Sequence, residues 1–159
     1  IRFPDGSYHK MSEYYYDAIK RKKQQSDSEF GNDFDKWVTQ NLARLGRTYR
    51  TCVGSVFVDP SAASFMECIR RHGKYMVYPA ENNVLNGIRI TSDLLAGGKI
   101  LIHESCKDSI REFGLYRWDE KAKEDKVLKE NDHAMDDIRY FCNTVLARQF
   151  RWADWRGER

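Results

Sequence analysis

The chain has 159 residues, enough for one domain that buries a sizeable core without disulfides or structural metal. Its 27 basic and 24 acidic residues leave a formal charge of +3, too small an excess to imply nucleic-acid binding by itself. Hydrophobic residues make up 41% and charged residues 32%, and no apolar run approaches the ~18 residues of a membrane span; collagen-like, disordered and membrane-spanning classes are excluded.

In chain order, Pro4-Asp5-Gly6-Ser7 is a turn, and residues 8–16 are aromatic-rich and suited to a strand. Together with Ile1–Phe3 they read as an opening antiparallel hairpin, most of whose first strand lies upstream of Ile1. The basic run at residues 20–25 lacks apolar periodicity and reads as a solvated loop. Ser26 or Ser28 caps a helix carrying Phe30, Phe34, Trp37, Val38 and Leu42 on one side, closed by Gly46. Residues 51–58 are β-branched and apolar on both faces, as a buried strand should be.

Asp59-Pro60 stops that strand, and Ser61 opens a helix that ends at Gly73. A strand at 75–78, a helix at 83–95, a strand at 99–103 and a short helix at 106–113 follow. Residues 116–130 are charged and irregular, and a last helix runs from Asn131 or Asp132 to about Phe150. Strands alternating with helices after a hairpin give an α/β layer fold, with a central mixed sheet and helices on both faces. The division is one domain at 1–150 and a basic, aromatic tail at 151–159.

Two places can carry chemistry. Asp59 follows the most apolar strand, and α/β sheets bind ligands at the carboxyl ends of their strands; the competing role is a turn or cap before the next helix. On the last helix His133 and Asp136 are three residues apart, about 60° around one face, and Asp132 stands four before Asp136. Carboxylates with an imidazole suit Mg2+ or Mn2+, and a pair of such ions serves in-line phosphodiester hydrolysis. The alternative for Asp132 and Asp137 is an acidic first turn complementing the helix dipole. Cys52, Cys68, Cys106 and Cys142 form no C-x-x-C pair, and a reduced, cytosolic chain is the expectation. His9, His72 and His103 stand alone. No G-x-x-x-x-G-K-[ST] loop is present.

Beyond these features, Val58-Asp59-Pro60-Ser61-Ala62-Ala63, Ala80-Glu81-Asn82-Asn83-Val84-Leu85-Asn86-Gly87-Ile88, Glu112-Phe113 with Tyr116-Arg117-Trp118-Asp119-Glu120-Lys121, and Lys129-Glu130-Asn131-Asp132-His133-Ala134-Met135-Asp136 occur in that order. Ending in Ile138-Arg139-Tyr140, they resemble the nuclease domain of tailed-bacteriophage, prophage-type terminase large subunits. The resemblance implies an RNase H-like fold and a metal-dependent endonuclease that cuts concatemeric double-stranded viral DNA with two Mg2+ or Mn2+ ions. Asp59, Asp136 and His133 match the family's metal-binding residues. The family's first catalytic aspartate would lie on the strand upstream of Ile1, which would leave a fragment of this extent inactive. Implied partners are double-stranded DNA, an upstream ATPase domain of the same polypeptide, the terminase small subunit and the portal protein, in the bacterial host cytoplasm with no membrane. A docking module of the packaging motor without catalysis, and another RNase H-like nuclease such as a junction resolvase, are the alternatives.

Overall fold

The computed structural model describes residues 1–48 and 55–147. The chain gathers into two compact units: Ile1–Glu13 with the chain from Glu81 onward, and Tyr14–Ala80. Among the described residues no helix is long and apolar enough to cross a membrane.

The second unit opens with one helical turn, α1 (Ala18–Arg21), capped by Asp17 through the Lys20 N–H at 2.8 Å. The basic run expected to be wholly loop therefore begins inside a turn of helix. The long helix α2 (Asp27–Arg44) starts in a capping box, in which Glu29 N–H donates to Ser26 Oγ and Ser26 N–H donates to Glu29 Oε2. It ends before Gly46, whose φ of +63° is a left-handed conformation that glycine adopts without strain. The strand β2 (Ser55–Val58) pairs in parallel with β3 (Met76–Pro79), and the helix α3 (Ala63–Arg71) connects them. Apolar positions on the inner faces of α2, β2, α3 and β3 meet in a core of Val38, Val58, Met66, Ile69, Tyr75 and Val77. Residues 51–54 of the expected strand lie outside the described residues.

The first unit contains β1 (Tyr8–Lys10), α4 (Val84–Ala96), β4 (Ile100–Ile102), α5 (Lys107–Phe113) and α6 (His133–Phe141). The helix α6 continues into a wider π-helical turn, Cys142–Leu146. Asn83 caps α4 by accepting from Asn86 N–H at 3.1 Å. Leu94, Ile100, Ala134, Met135, Ile138, Cys142 and Leu146 form the core. The last helix beyond residue 147 and the tail 151–159 lie outside the described residues.

The α/β character is present, with strands and helices in the expected order. Two expectations need correction. Among the described residues both ladders are parallel, β1 with β4 and β2 with β3, one in each unit. The strands thus form two separate pairs in place of one central mixed sheet, and the opening antiparallel hairpin forms no ladder. The Asp5-Gly6 turn does form, with Gly6 N–H donating to Phe3 O at 3.0 Å. It closes only an isolated bridge between Arg2 and Tyr8. The expected strand at 8–16 stops at Lys10 because β4 ends after Ile102. Past that point His103 N–H, Cys106 Sγ and Ser105 Oγ bond to the carbonyls of Lys10 and Met11, so no ladder can continue.

Candidate active site

Asp59 leaves β2 at its carboxyl end, where the sequence placed it. Its Oδ1 accepts from both the N–H and the Oγ of Ser61 at 2.8 Å, and its carbonyl accepts from Ala62 N–H at 2.9 Å. This is an Asx turn that leads the chain into α3. The turn holds the half-buried carboxylate in one orientation on the end of a strand.

The other expected residues fall on the first turn of α6, in the first unit. Asp132 stands at the N-cap position but makes no capping bond. The donor it would have served goes elsewhere: Glu112 of α5, completely buried, accepts from Ala134 N–H through Oε2 at 2.7 Å. Glu112 also pairs with Arg111, 3.3 Å from Oε1 to Nη2, while Arg111 Nη1 reaches Asn131 Oδ1 at 2.8 Å. Asn131 takes a φ of +54° just before the helix. The acid that serves the helix N-terminus thus comes from a neighbouring helix, and Asp132 is left for another partner.

That partner is Lys129. Its Nζ lies 3.1 Å from Asp132 Oδ2 and 3.3 Å from Asp136 Oδ2. Burial alone would lower the Lys129 pKa, but the Asp132 hydrogen bond and the charges of Asp136 and Asp132 prevail and raise it. Asp136 is 18% exposed, and its other oxygen, Oδ1, accepts from Arg139 Nε at 3.1 Å and Nη2 at 2.8 Å. Burial, with the Asp136 charge second, raises the pKa of the nearby Tyr116 phenol. His133 is 81% exposed, with Nδ1 3.9 Å from Asp132 Oδ1. Asp137 points elsewhere, to Lys10 at 2.6 Å, in a surface pair.

The structure therefore brings Asp132, His133 and Asp136 together on one helical turn, while Asp59 belongs to the other unit. Among the described residues, no group of three or more His, Cys, Asp or Glu side chains is placed to hold a metal ion. The donor chemistry nevertheless fits part of a hard-cation shell. Two carboxylate oxygens converge on one point, and the Lys129 ammonium stands there as a cation. Sequence reasoning missed Arg139, Lys129 and Glu112 as the groups that organise this turn. The Asp136–Arg139 spacing of three was a visible signal; the burial of Glu112 was not.

No profile of a known protein family matches the sequence. Over 94 residues, 55% of this chain, it is 32% identical to the large terminase subunit of Escherichia phage T5 and covers 22% of that protein. The large terminase of a thermophilic bacteriophage, solved in complex with ADP, superposes with a TM-score of 0.81 at 40% identity. That match covers 91% of this chain and 35% of the thermophilic phage's chain. The P22 large terminase nuclease domain matches at a TM-score of 0.54 and 19% identity over 80% of this chain and 63% of that one, a likeness of fold. The chain thus spans about a fifth of the T5 protein and a third of the thermophilic phage's chain.

Proposed function

We infer that this chain, whose homologues are phage large terminases, is the nuclease module of such a protein: an RNase H-like, metal-dependent endonuclease that cuts double-stranded viral DNA during packaging. The observation that carries the reading is the first turn of α6, where two carboxylates face one cation in a stretch that also resembles the terminase motif. Asp59, Asp136 and His133 would hold Mg2+ or Mn2+, two ions in all, with Asp132 beside them. The chemistry such ions supply when bound is Lewis-acid stabilisation of the charge that develops on a phosphodiester.

The chain's own groups support that role. The Asx turn at Asp59 and the Arg139 contact at Asp136 fix two carboxylates, so neither has to be ordered when a ligand arrives. Lys129 and Arg139 balance the charges of Asp132 and Asp136, which lowers the repulsion a phosphate backbone would meet. Contacts to the backbone rather than to base edges predict slight sequence preference and a steep fall of affinity with salt. DNA, the upstream ATPase domain, the small subunit and the portal are the partners this reading implies.

The test is cleavage of linear duplex, supercoiled plasmid and four-way-junction DNA by the full-length protein in Mn2+, with and without chelator. Chelator-sensitive cleavage of plasmid and duplex is expected. Cleavage that survives chelation overturns the metal dependence, and cutting confined to the junction favours a resolvase.

A further inference from the structure

Arg139 is the residue whose situation the proposed chemistry does not yet explain. Its side chain is 3% exposed, in the last turn of α6 and against α4. Nε and Nη2 both donate to the same oxygen, Asp136 Oδ1, and Nη2 also reaches Asn82 Oδ1 at 3.1 Å. The remaining nitrogen, Nη1, is buried without a hydrogen-bond partner. The guanidinium carbon also lies 4.6 Å from the centre of the Tyr140 ring. Yet a buried cation with one nitrogen lacking a hydrogen bond is a costly stabilising device, and apolar groups of similar volume commonly do as well or better. What this arrangement supplies is geometry. Two donors hold Oδ1 of the Asp136 carboxylate, and Oδ2 is turned to Lys129, which also pairs with Asp132.

The support extends one layer further. The aliphatic stem of Arg139 lies on Gly87 of α4, where a Cβ would stand 2.7 Å from Arg139 Cγ and 3.1 Å from Cδ. Any side chain at 87 would have to push the stem near its root, not a flexible tip. Asn143, on the π-helical turn, bonds Asn86 at 3.2 Å and holds the same edge of α4. A glycine in a helix interior is destabilising relative to alanine, and here it is the residue that leaves room for the Arg139 stem.

We propose that Arg139, seated on Gly87 and anchored by Asn82, is a positioning residue that orients Asp136 for divalent-metal binding. The proposal rests on the reading of Asp136 as a metal ligand. Groups that orient a metal ligand in this way typically change metal affinity about 10–100-fold when replaced.

The experiment is Mn2+ affinity by titration calorimetry on the full chain, with thermal unfolding measured on the same samples. Arg139→Lys keeps the charge and loses the planar fork, and Gly87→Ala keeps every polar group and displaces the stem. Both are expected to weaken Mn2+ binding about 10-fold or more. In the Arg139→Ala background Gly87→Ala should have no further effect, because the atoms it would strike are gone. Asn82→Ala changes an exposed residue and serves where the other variants fold poorly; a drop of several-fold is expected from it. If these variants lose thermal stability but bind Mn2+ within twofold of the parent while Asp136→Ala does not bind, Arg139 is structural. The proposal then falls, and the metal site stands. If Asp136→Ala binds Mn2+ like the parent, both fall.

Discussion

Glu112→Ala should unsettle the helix that carries the candidate site, and the cost can be worked from the contacts. Glu112 is fully buried and accepts from the Ala134 N–H at 2.7 Å, a donor in the first turn of α6 that is itself enclosed. Truncation leaves that N–H unpaired away from water, at about 1–3 kcal/mol. It also removes an acid from a helix N-terminus, about 0.3–1 kcal/mol, and opens a small void. A loss of about 3 kcal/mol is expected, or ~6–12 °C in Tm for a chain of this size. Glu112→Gln keeps the shape and an acceptor oxygen, so it should cost only about 1 kcal/mol. Urea unfolding monitored by circular dichroism gives both numbers. If Glu112→Ala falls within about 0.5 kcal/mol of the parent, the limit for an uninvolved surface position, the argument that α5 caps α6 is refuted.

Two further predictions concern other parts of the chain. Burial pushes the Asp35 carboxyl up, but hydrogen bonds from Lys74 and Tyr75 and the charges of Lys74 and His72 outweigh it and hold the group below its ordinary value. A depressed carboxylate stabilises above its unfolded pKa and ceases to as pH falls through the folded one. Asp35→Asn should therefore cost about 1 kcal/mol near pH 7, allowing for solvent screening, with the full deficit kept down to about pH 4, the unfolded value, and lost only as pH falls below it through the depressed folded value. A deficit that shows no fall between about pH 4 and about pH 2 would count against the ion pairs. Burial pushes the Cys142 thiol up to about 11 and also raises Cys106, and both side chains are fully enclosed. At about pH 8 Cys142 would be only about 0.1% thiolate. Iodoacetamide followed by peptide mass mapping should label the half-buried Cys68 well before either, and early labelling of Cys142 would contradict the packing around α6.

Much of the architecture was legible because it rests on local signals. Ser26 with Glu29 three residues on, Asn83 before an apolar periodic run, and Gly46 after one each mark a helix end through a hydrogen bond or a backbone conformation that few residues can supply. The opening segment was misread because strand length is set by the partner. Residues 8–16 have strand composition throughout, yet β4 offers only three residues to pair with. At the site, spacing placed Asp132, His133 and Asp136 on one helical turn, and that much followed from periodicity. Spacing did not tell which acid caps the helix, since Glu112 competes for that donor from 22 residues away in sequence. Nor did it tell that long side chains, Lys129 and Arg139, would fold back onto the carboxylates, because their reach covers many positions.

The central claim is that Asp136 serves metal-dependent cleavage of DNA. Its most direct test is single-turnover cleavage of supercoiled plasmid in Mn2+ by the full-length protein beside its Asp136→Ala variant. Nicked and linear product is expected from the parent, with a loss of about a thousand-fold in the variant, the equivalent of ~4 kcal/mol of transition-state stabilisation. Cleavage by Asp136→Ala within about tenfold of the parent would contradict the claim.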